Sequence, residues 1–392
     1  MFYTRLQAIK MPFLPFAQLF FSISIMFATW IIYIPHIIEK LHMSKGQLGT
    51  ALMFSALGAL VANPIAKRLV NKFGPGKMAL FSVPMQSIII VGYFIAPSAF
   101  WLSALLFMFG LCGSITQIAV NTLITIVEKQ KEISIMSTSH GFWSLGGIIA
   151  SGAGTLLLIA IGNPLVHILL SASIVFILQL IFAKKYINIK GSIVKSTEKK
   201  QTNVYKNLLI WGLALIGICV MVSEGAIADW SALYLRDVAL TNSQLLGLGY
   251  AGFSLAMAIG RFLGDHFSKR IGSMQIIISG FIIGCFGLLT VLMASPVLSV
   301  IGFFIIGLGF SVIVPEVYRM AASVSDHNAS SGIAMISIAA NFGFLVGPFT
   351  MGAIAEKFGL QISYIALLGL VLAGTAISIV IRMRTRAKYS IA

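Results

Sequence analysis

Only eleven Asp and Glu residues occur among the chain's 392, and two of them, Glu224 and Asp229, interrupt an apolar run from Asn207 to Leu235. An ionisable group at the centre of a hydrocarbon layer costs at least about 2.5 kcal/mol, so an acid placed there needs a reason. Burial favours the neutral form of a carboxyl and allows it to exchange a proton near neutral pH. Glu224 is therefore the first candidate for proton coupling, with Asp229 second. At about 1.5 Å per residue, Glu224 falls about 5 Å from the middle of its run and Asp229 about 12 Å toward one end. Five residues turn a helix by about 140°, so the two carboxylates are expected on different faces, doing separate jobs rather than paired acid–base work. The alternative for each is a structural hydrogen bond, for Asp229 to a backbone amide or to Tyr234.

A second polar set converges in depth toward the opposite end. Asn121, His140 and Glu316 each fall roughly 10 to 12 Å from the middle of their runs, with Arg319 at about 15 Å. Glu316 and Arg319 are three residues apart and can neutralise each other on one helix, or they can bind or gate a solute. His140 has the chemistry to titrate near physiological pH, against a simpler role as a hydrogen-bonded packing residue. Trp30, Tyr33, Trp230 and Tyr234 offer flat rings with polar edges, suited to the faces and hydroxyls of a sugar-like solute; a belt at the membrane–water interface is the alternative. Cys112, Cys219 and Cys285 stand far apart in separate apolar runs, without metal-ligand spacing. No phosphate-binding loop and no nucleophile motif is present. Neither a metal, nor a cofactor, nor an enzymatic activity is expected.

What must position these residues is a membrane-embedded helical protein. Of the chain, 58% is apolar and only 10% charged, against roughly 25% charged in soluble domains. Long apolar runs broken by charge, Pro and Gly give twelve spans, from Pro12 to Ile38 at the start to Ile362 to Ile381 at the end. The formal charge of +16 could suggest a nucleic-acid partner, but its distribution argues otherwise. With the N-terminus inside, all of the 27 Lys and Arg except Lys40, Lys45, Arg236 and Lys357 fall on the cytoplasmic side, as the positive-inside rule requires. Both termini are then cytoplasmic. The polar stretch from Asn188 to Lys206 reads as a cytoplasmic linker (188–206) between an N-terminal six-helix bundle (1–187) and a C-terminal one (207–392).

The halves repeat. At an offset of 198, ANPIAKRLVNKFG (Ala62 to Gly74) lies over GRFLGDHFSKRIG (Gly260 to Gly272), and Trp30 lies over Trp230 at an offset of 200, which favours a cavity position for both. Repeated six-span halves are a transporter architecture with the solute site between them.

The loop-plus-Gly repeat, with GRFLGD at Gly260 to Asp265, resembles the major facilitator superfamily over essentially the whole chain. SEGAIADWSALYLRD (Ser223 to Asp237), SHGFWSLGG (Ser139 to Gly147) and NFGFLVGP (Asn341 to Pro348) resemble, more narrowly, its MosC-like, YbjJ-type branch. The resemblance implies an all-α fold of twelve transmembrane helices in two bundles. It also implies a cavity lined by the fourth and tenth spans, which strengthens Asn121 and Glu316 and adds Asn341. Arg261 and Asp265 are expected to form a conformational latch. The first half departs from the pattern, with Lys67 opposite Asp265 and Asn71 at the usual acidic loop position. The expectation is a monomeric secondary transporter of the bacterial cytoplasmic membrane. It would move a small polar organic solute, sugar-like by resemblance, by alternating access with proton coupling. An exporter of amphipathic compounds and a transporter-like sensor or lipid-handling protein are the alternatives.

Overall fold

The computed structural model describes residues 13–133, 135–189, 207–324 and 329–389. Among these residues the regular structure is helical throughout. The helices are α1 (Leu14–Lys40), α2 (Lys45–Phe73), α3 (Pro75–Ile95), α4 (Ala99–Lys131), α5 (Met136–Ile148), α6 (Gly154–Ile161), α7 (Pro164–Tyr186), α8 (Leu208–Asp237), α9 (Leu248–Ile271), α10 (Ser273–Leu292), α11 (Pro296–Phe310), α12 (Ile313–Val324), α13 (Ala329–Phe358) and α14 (Leu360–Tyr389). Eleven stretches are long and apolar enough to cross a bilayer. The fifth expected span is helical too, but a π-turn over Ile149–Ala153 divides it into α5 and α6. Ser151 and Thr155 there donate back to the carbonyls of Gly147 and Ser151, at 2.5 and 2.6 Å, a pattern that competes with the main-chain ladder. The wide turn also serves a contact: a methyl group on Gly247 would meet the Ser151 carbonyl at 2.7 Å, so glycine lets the start of α9 lie directly against it. The tenth span is likewise divided, by a turn at residues 311–312 between α11 and α12. Most of the expected linker, residues 190–206, lies outside the described residues.

The repeat is visible in the backbone. Gly74 ends α2 and begins α3, and Gly272 ends α9 and begins α10, both at φ +87°. That conformation is open to glycine at little cost and strained for any side chain. Deeper in the bundles, Gly110 of α4 lies against the Ser55 carbonyl of α2, and Gly307 of α11 lies against the Phe253 carbonyl of α9. Small residues allow such backbone contact where hydrophobic burial cannot drive helices together.

The bundles meet along α1 with α8, α2 with α13, and α5 with α9. On the second seam, a methyl on Gly49 would lie 2.9 Å from the Gly352 Cα, so two backbones touch across the molecule. This crossing lies near the end at which α1 finishes, called here the distal end; the proximal end is where α1 begins.

Gly74→Ala and Gly272→Ala should each destabilise the protein by about 1–3 kcal/mol, read as a lower melting temperature in detergent. Gly369→Ala, where nothing lies within 4 Å of the new carbon, should melt close to the parent.

Candidate functional site

A cavity of about 390 Å³ lies between the bundles. Its two walls differ in chemistry. The N-terminal bundle contributes Phe27, Trp30, Tyr93, Phe109 and Trp143, with aliphatic residues and the smaller polar groups Ser55, Asn63 and Ser144. The C-terminal bundle contributes every ionisable acid and base on the lining apart from Tyr93: Glu224, Asp229, Arg261 and Tyr250, with Ser254 and Asn341 beside them.

Both carboxylates come from α8. The lining positions 224, 225, 228 and 229 form two adjacent ridges of residues four apart. The cavity is wide enough to take both ridges, which corrects the expectation that Glu224 and Asp229 occupy unrelated faces. Glu224 Oε1 is buried with no hydrogen-bond partner, and Arg261 is an opposing charge that acts on it. Asp229 has no ion-pair partner among the described residues; Tyr250 and Tyr364 lie within its electrostatic reach. On the opposite wall the Tyr93 hydroxyl is also buried without a partner, its ring edge-on to Trp30 at 4.8 Å.

The other expected residues divide. Trp30, Arg261 and Asn341 line the cavity. Tyr33, Trp230 and Tyr234 are instead fully buried in helix packing. Tyr33 bonds His167 Nδ1 at 3.0 Å, and Tyr234 donates to the Val291 carbonyl at 2.9 Å and lies against Tyr364, not Asp229. The cavity takes positions 27 and 30 of α1 and 224, 225, 228 and 229 of α8; positions 33, 230 and 234 lie at suitable depths but off those faces. Asn121 and His140 meet at 3.2 Å, with His140 over Phe20 at 4.2 Å. Glu316 does not join them: it pairs with Arg319 at 2.6 Å, and Arg319 also donates to Ser268 of α9 at 2.7 Å. This pair ties α12 to α9 outside the cavity lining. Asp265 falls within α9, and its side chain lies outside the described residues.

A charged layer closes the distal end. Arg236 of α8 pairs with Glu39 of α1 at 2.7 Å and donates to the Pro35 carbonyl at 3.0 Å. Its neighbour Asp237 takes Lys45 of α2 at 2.9 Å and Arg236 itself at 2.7 Å. Glu356 of α13 accepts from the Gly46 amide at 3.1 Å, placing a carboxylate on the positive end of α2. A single exposed pair is worth at most about 1 kcal/mol; several bonds joining both bundles in one layer add up. The sequence signal was present, since Glu39–Lys40, Arg236–Asp237 and Glu356–Lys357 each put an acid beside a base at a helix end. Toward the proximal end the walls open. On α2 exposure rises from 6% at Leu52 to 41% at Leu60, and Arg261 and Asn341 are exposed as well. Tyr93, Trp143, Tyr250 and Ser254 were not singled out by sequence reasoning; only Tyr250 and Ser254, one turn apart on the least apolar span, carried any signal.

Two helical bundles around a central cavity, closed at one end and open at the other, define a multi-pass membrane transporter. The chain belongs to the Major Facilitator Superfamily, whose sequence profile matches residues 16–315 and 213–391. Among its relatives, the uncharacterized transporter y4wD of Sinorhizobium fredii is 31% identical over 87% of this chain and 90% of its own. The membrane protein MosC of Rhizobium meliloti is 28% identical over 87% and 83%. The crystal structure of the nucleoside transporter NupG superposes with a TM-score of 0.75 at 15% identity, covering 95% of this chain and 99% of that one. The protein is thus a transporter and not an enzyme.

Arg236→Gln removes the one side chain that bonds α1, α8 and Asp237 together. A cysteine at Asn341, in a background lacking Cys112, Cys219 and Cys285, should then react faster with a membrane-impermeant thiol reagent added at the distal face. Rates equal to those with Arg236 intact would show that helix packing alone keeps that end shut.

Proposed function

We propose that this transporter moves a small polar organic solute bearing a ring or sugar-like face, by alternating access coupled to protons, across the bacterial cytoplasmic membrane. The observation that carries the reading is the division of one cavity into an aromatic wall from the N-terminal bundle and a charged wall from the C-terminal bundle. Flat rings pack against an apolar solute face, and polar atoms opposite them fix its orientation.

Proton coupling draws support from Glu224. Its Oε1 is buried without a partner, on a cavity that opens to one end of the molecule. A carboxyl in that position takes a proton when open to one side and gives it up when open to the other. In its neutral form the carrier reorients without carrying a bare charge through a low-dielectric passage. Asp229 is the second candidate for this role; Glu316, paired with Arg319 outside the lining, is the third. The lysine and arginine distribution favours a cytoplasmic proximal end, which makes the present conformation inward-open, with the layer around Arg236 as the closed outer gate. On this open side we assign the latch role to Arg261 with Asp265, and keep the Asn121–His140 pair, which lies off the cavity lining, as a candidate for contact with the solute on its way in.

Export of an amphipathic compound is the second reading, favoured by the aliphatic lining residues Leu52, Ala56, Ile90 and Leu106. Purified protein in liposomes, offered a panel of labelled ring-bearing solutes, separates the two by whether solute moves with the imposed proton flow or against it.

Glu224→Gln keeps the size and hydrogen bonding of the protonated acid and cannot release a proton. The variant should still exchange solute across the liposome membrane and lose accumulation driven by a pH gradient. Accumulation equal to the parent under the same gradient would remove the proton role from Glu224 and leave it a structural or solute-binding acid.

A further inference from the structure

The cavity's charges do not balance, and the imbalance bears on what it holds. Two acids and one base line it, Glu224, Asp229 and Arg261. Arg261 acts on Glu224, so one acid has a counter-charge in its surroundings. Asp229 has none: it forms no ion pair among the described residues, and the groups within its electrostatic reach are the phenols of Tyr250 and Tyr364. Asp229 is half-buried on the open cavity; when the bundles close around a solute its carboxylate leaves water, and without a paired cation that is among the costliest arrangements in a protein.

The wall opposite is of a kind that favours cations. Trp30 of α1 stands at nearly the level of Asp229 by the repeat offset of 200, since position 29 is the counterpart of 229. Trp30, Phe27, Phe109 and Trp143 line the same space, and aromatic rings attract a cation brought near their faces. Tyr93, 1% exposed, lines this space, and its hydroxyl has no partner within the protein. An unpartnered hydroxyl at the cavity wall can donate to or accept from a ligand group once a small side-chain shift lets the two meet.

Resting on the reading of this cavity as the solute site, we propose that the transported solute carries one basic nitrogen, an ammonium on a ring-bearing or polyhydroxylated frame. The ammonium pairs with Asp229, the ring packs on Trp30 and its neighbours, and the Tyr93 oxygen takes a polar hydrogen of the frame. The two acids of α8 then divide their work, Asp229 holding the solute and Glu224 the proton. A neutral sugar leaves Asp229 without a counter-charge, and an anionic solute adds to the excess.

The test is equilibrium binding to the purified parent protein in detergent at one pH, without a gradient, so that it reads solute recognition independently of proton coupling. The probes are pairs that differ at a single group: glucosamine against glucose, cyclohexylamine against cyclohexanol, and benzylamine against benzyl alcohol. Binding is followed by tryptophan fluorescence, since Trp30 and Trp143 line the cavity, and by thermal shift. At least one amine should bind about tenfold or more tighter than its hydroxyl partner. Asp229→Asn should reduce that preference to about twofold or less, and Asp229→Glu should restore part of it. Equal binding within every pair, preference for the hydroxyl member, or no binding by any amine overturns the proposal. So does a preference that survives Asp229→Asn and disappears in Glu224→Gln. Should Asp229→Asn fail to fold, the parent's preference and its response to Asp229→Glu decide the matter. Gradient-driven accumulation that Glu224→Gln leaves unchanged, with the parent's amine preference intact, would count against the coupling assignment alone.

Discussion

The cost of a charge inside hydrocarbon governs where this chain keeps its acids. Each carboxylate among the described residues is paired, caps a helix, faces water or lines the cavity. Glu39, Asp237 and Glu356 are spent in the distal layer that joins the bundles. Glu128 accepts from the amides of Ile135 and Met136 and so caps the start of α5, Glu132 is exposed at the end of α4, and Glu316 is held by Arg319. Of the acids whose side chains are described, that leaves Glu224 and Asp229, on the cavity between the bundles. The same cost shapes the gate. A layer of charge can seal one end because it lies at the rim, where its side chains are only half-buried and can rehydrate when the bundles part.

The remainder of the architecture makes that separation mechanically simple. Within each bundle the helices are locked by glycine contacts that bring backbones together, as at Gly110 and Gly307, and α10 and α11 are joined twice more by Gly280 with Gly309 and Gly287 with Gly302. Between bundles the glycine contacts, Gly49 with Gly352 and Gly247 with the Ser151 carbonyl, lie toward the distal end. Rigid bundles with a local contact between them suit rocking about the central site.

Much of this was legible in the sequence, for identifiable reasons. Run length and charge spacing reveal the spans, because bilayer thickness fixes both, and the repeat ending at Gly74 and Gly272 reflects a backbone conformation that recurs at the same offset. Depth was legible as well, which is how Glu224, Asp229 and Trp30 came to be singled out. Azimuth was not. A helix apolar nearly all round, such as α1, carries little record of which side meets its neighbour, so Tyr33 had a depth suited to the cavity and faces helix packing; on α8 the two acids mark the cavity side, and Trp230 and Tyr234 fall off it, while Tyr93 reaches the cavity without any sequence signal. The break of the fifth span at Ile149–Ala153 was hidden for a similar reason, since a π-turn depends on what packs against it, here Gly247.

The central claim is that the charged distal layer and the open proximal mouth are the two ends of one motion about a cavity whose two acids have no partner within the distal layer. Pairwise spin-label distances test it most directly, measured in lipid nanodiscs between positions 42 and 240 at the distal end and between 131 and 323 at the proximal end, in the parent and in a variant lacking Arg236 and Lys45. The account predicts that the variant lengthens the distal distance and shortens the proximal one in the same population of molecules. Distal lengthening with an unchanged proximal distance would contradict it.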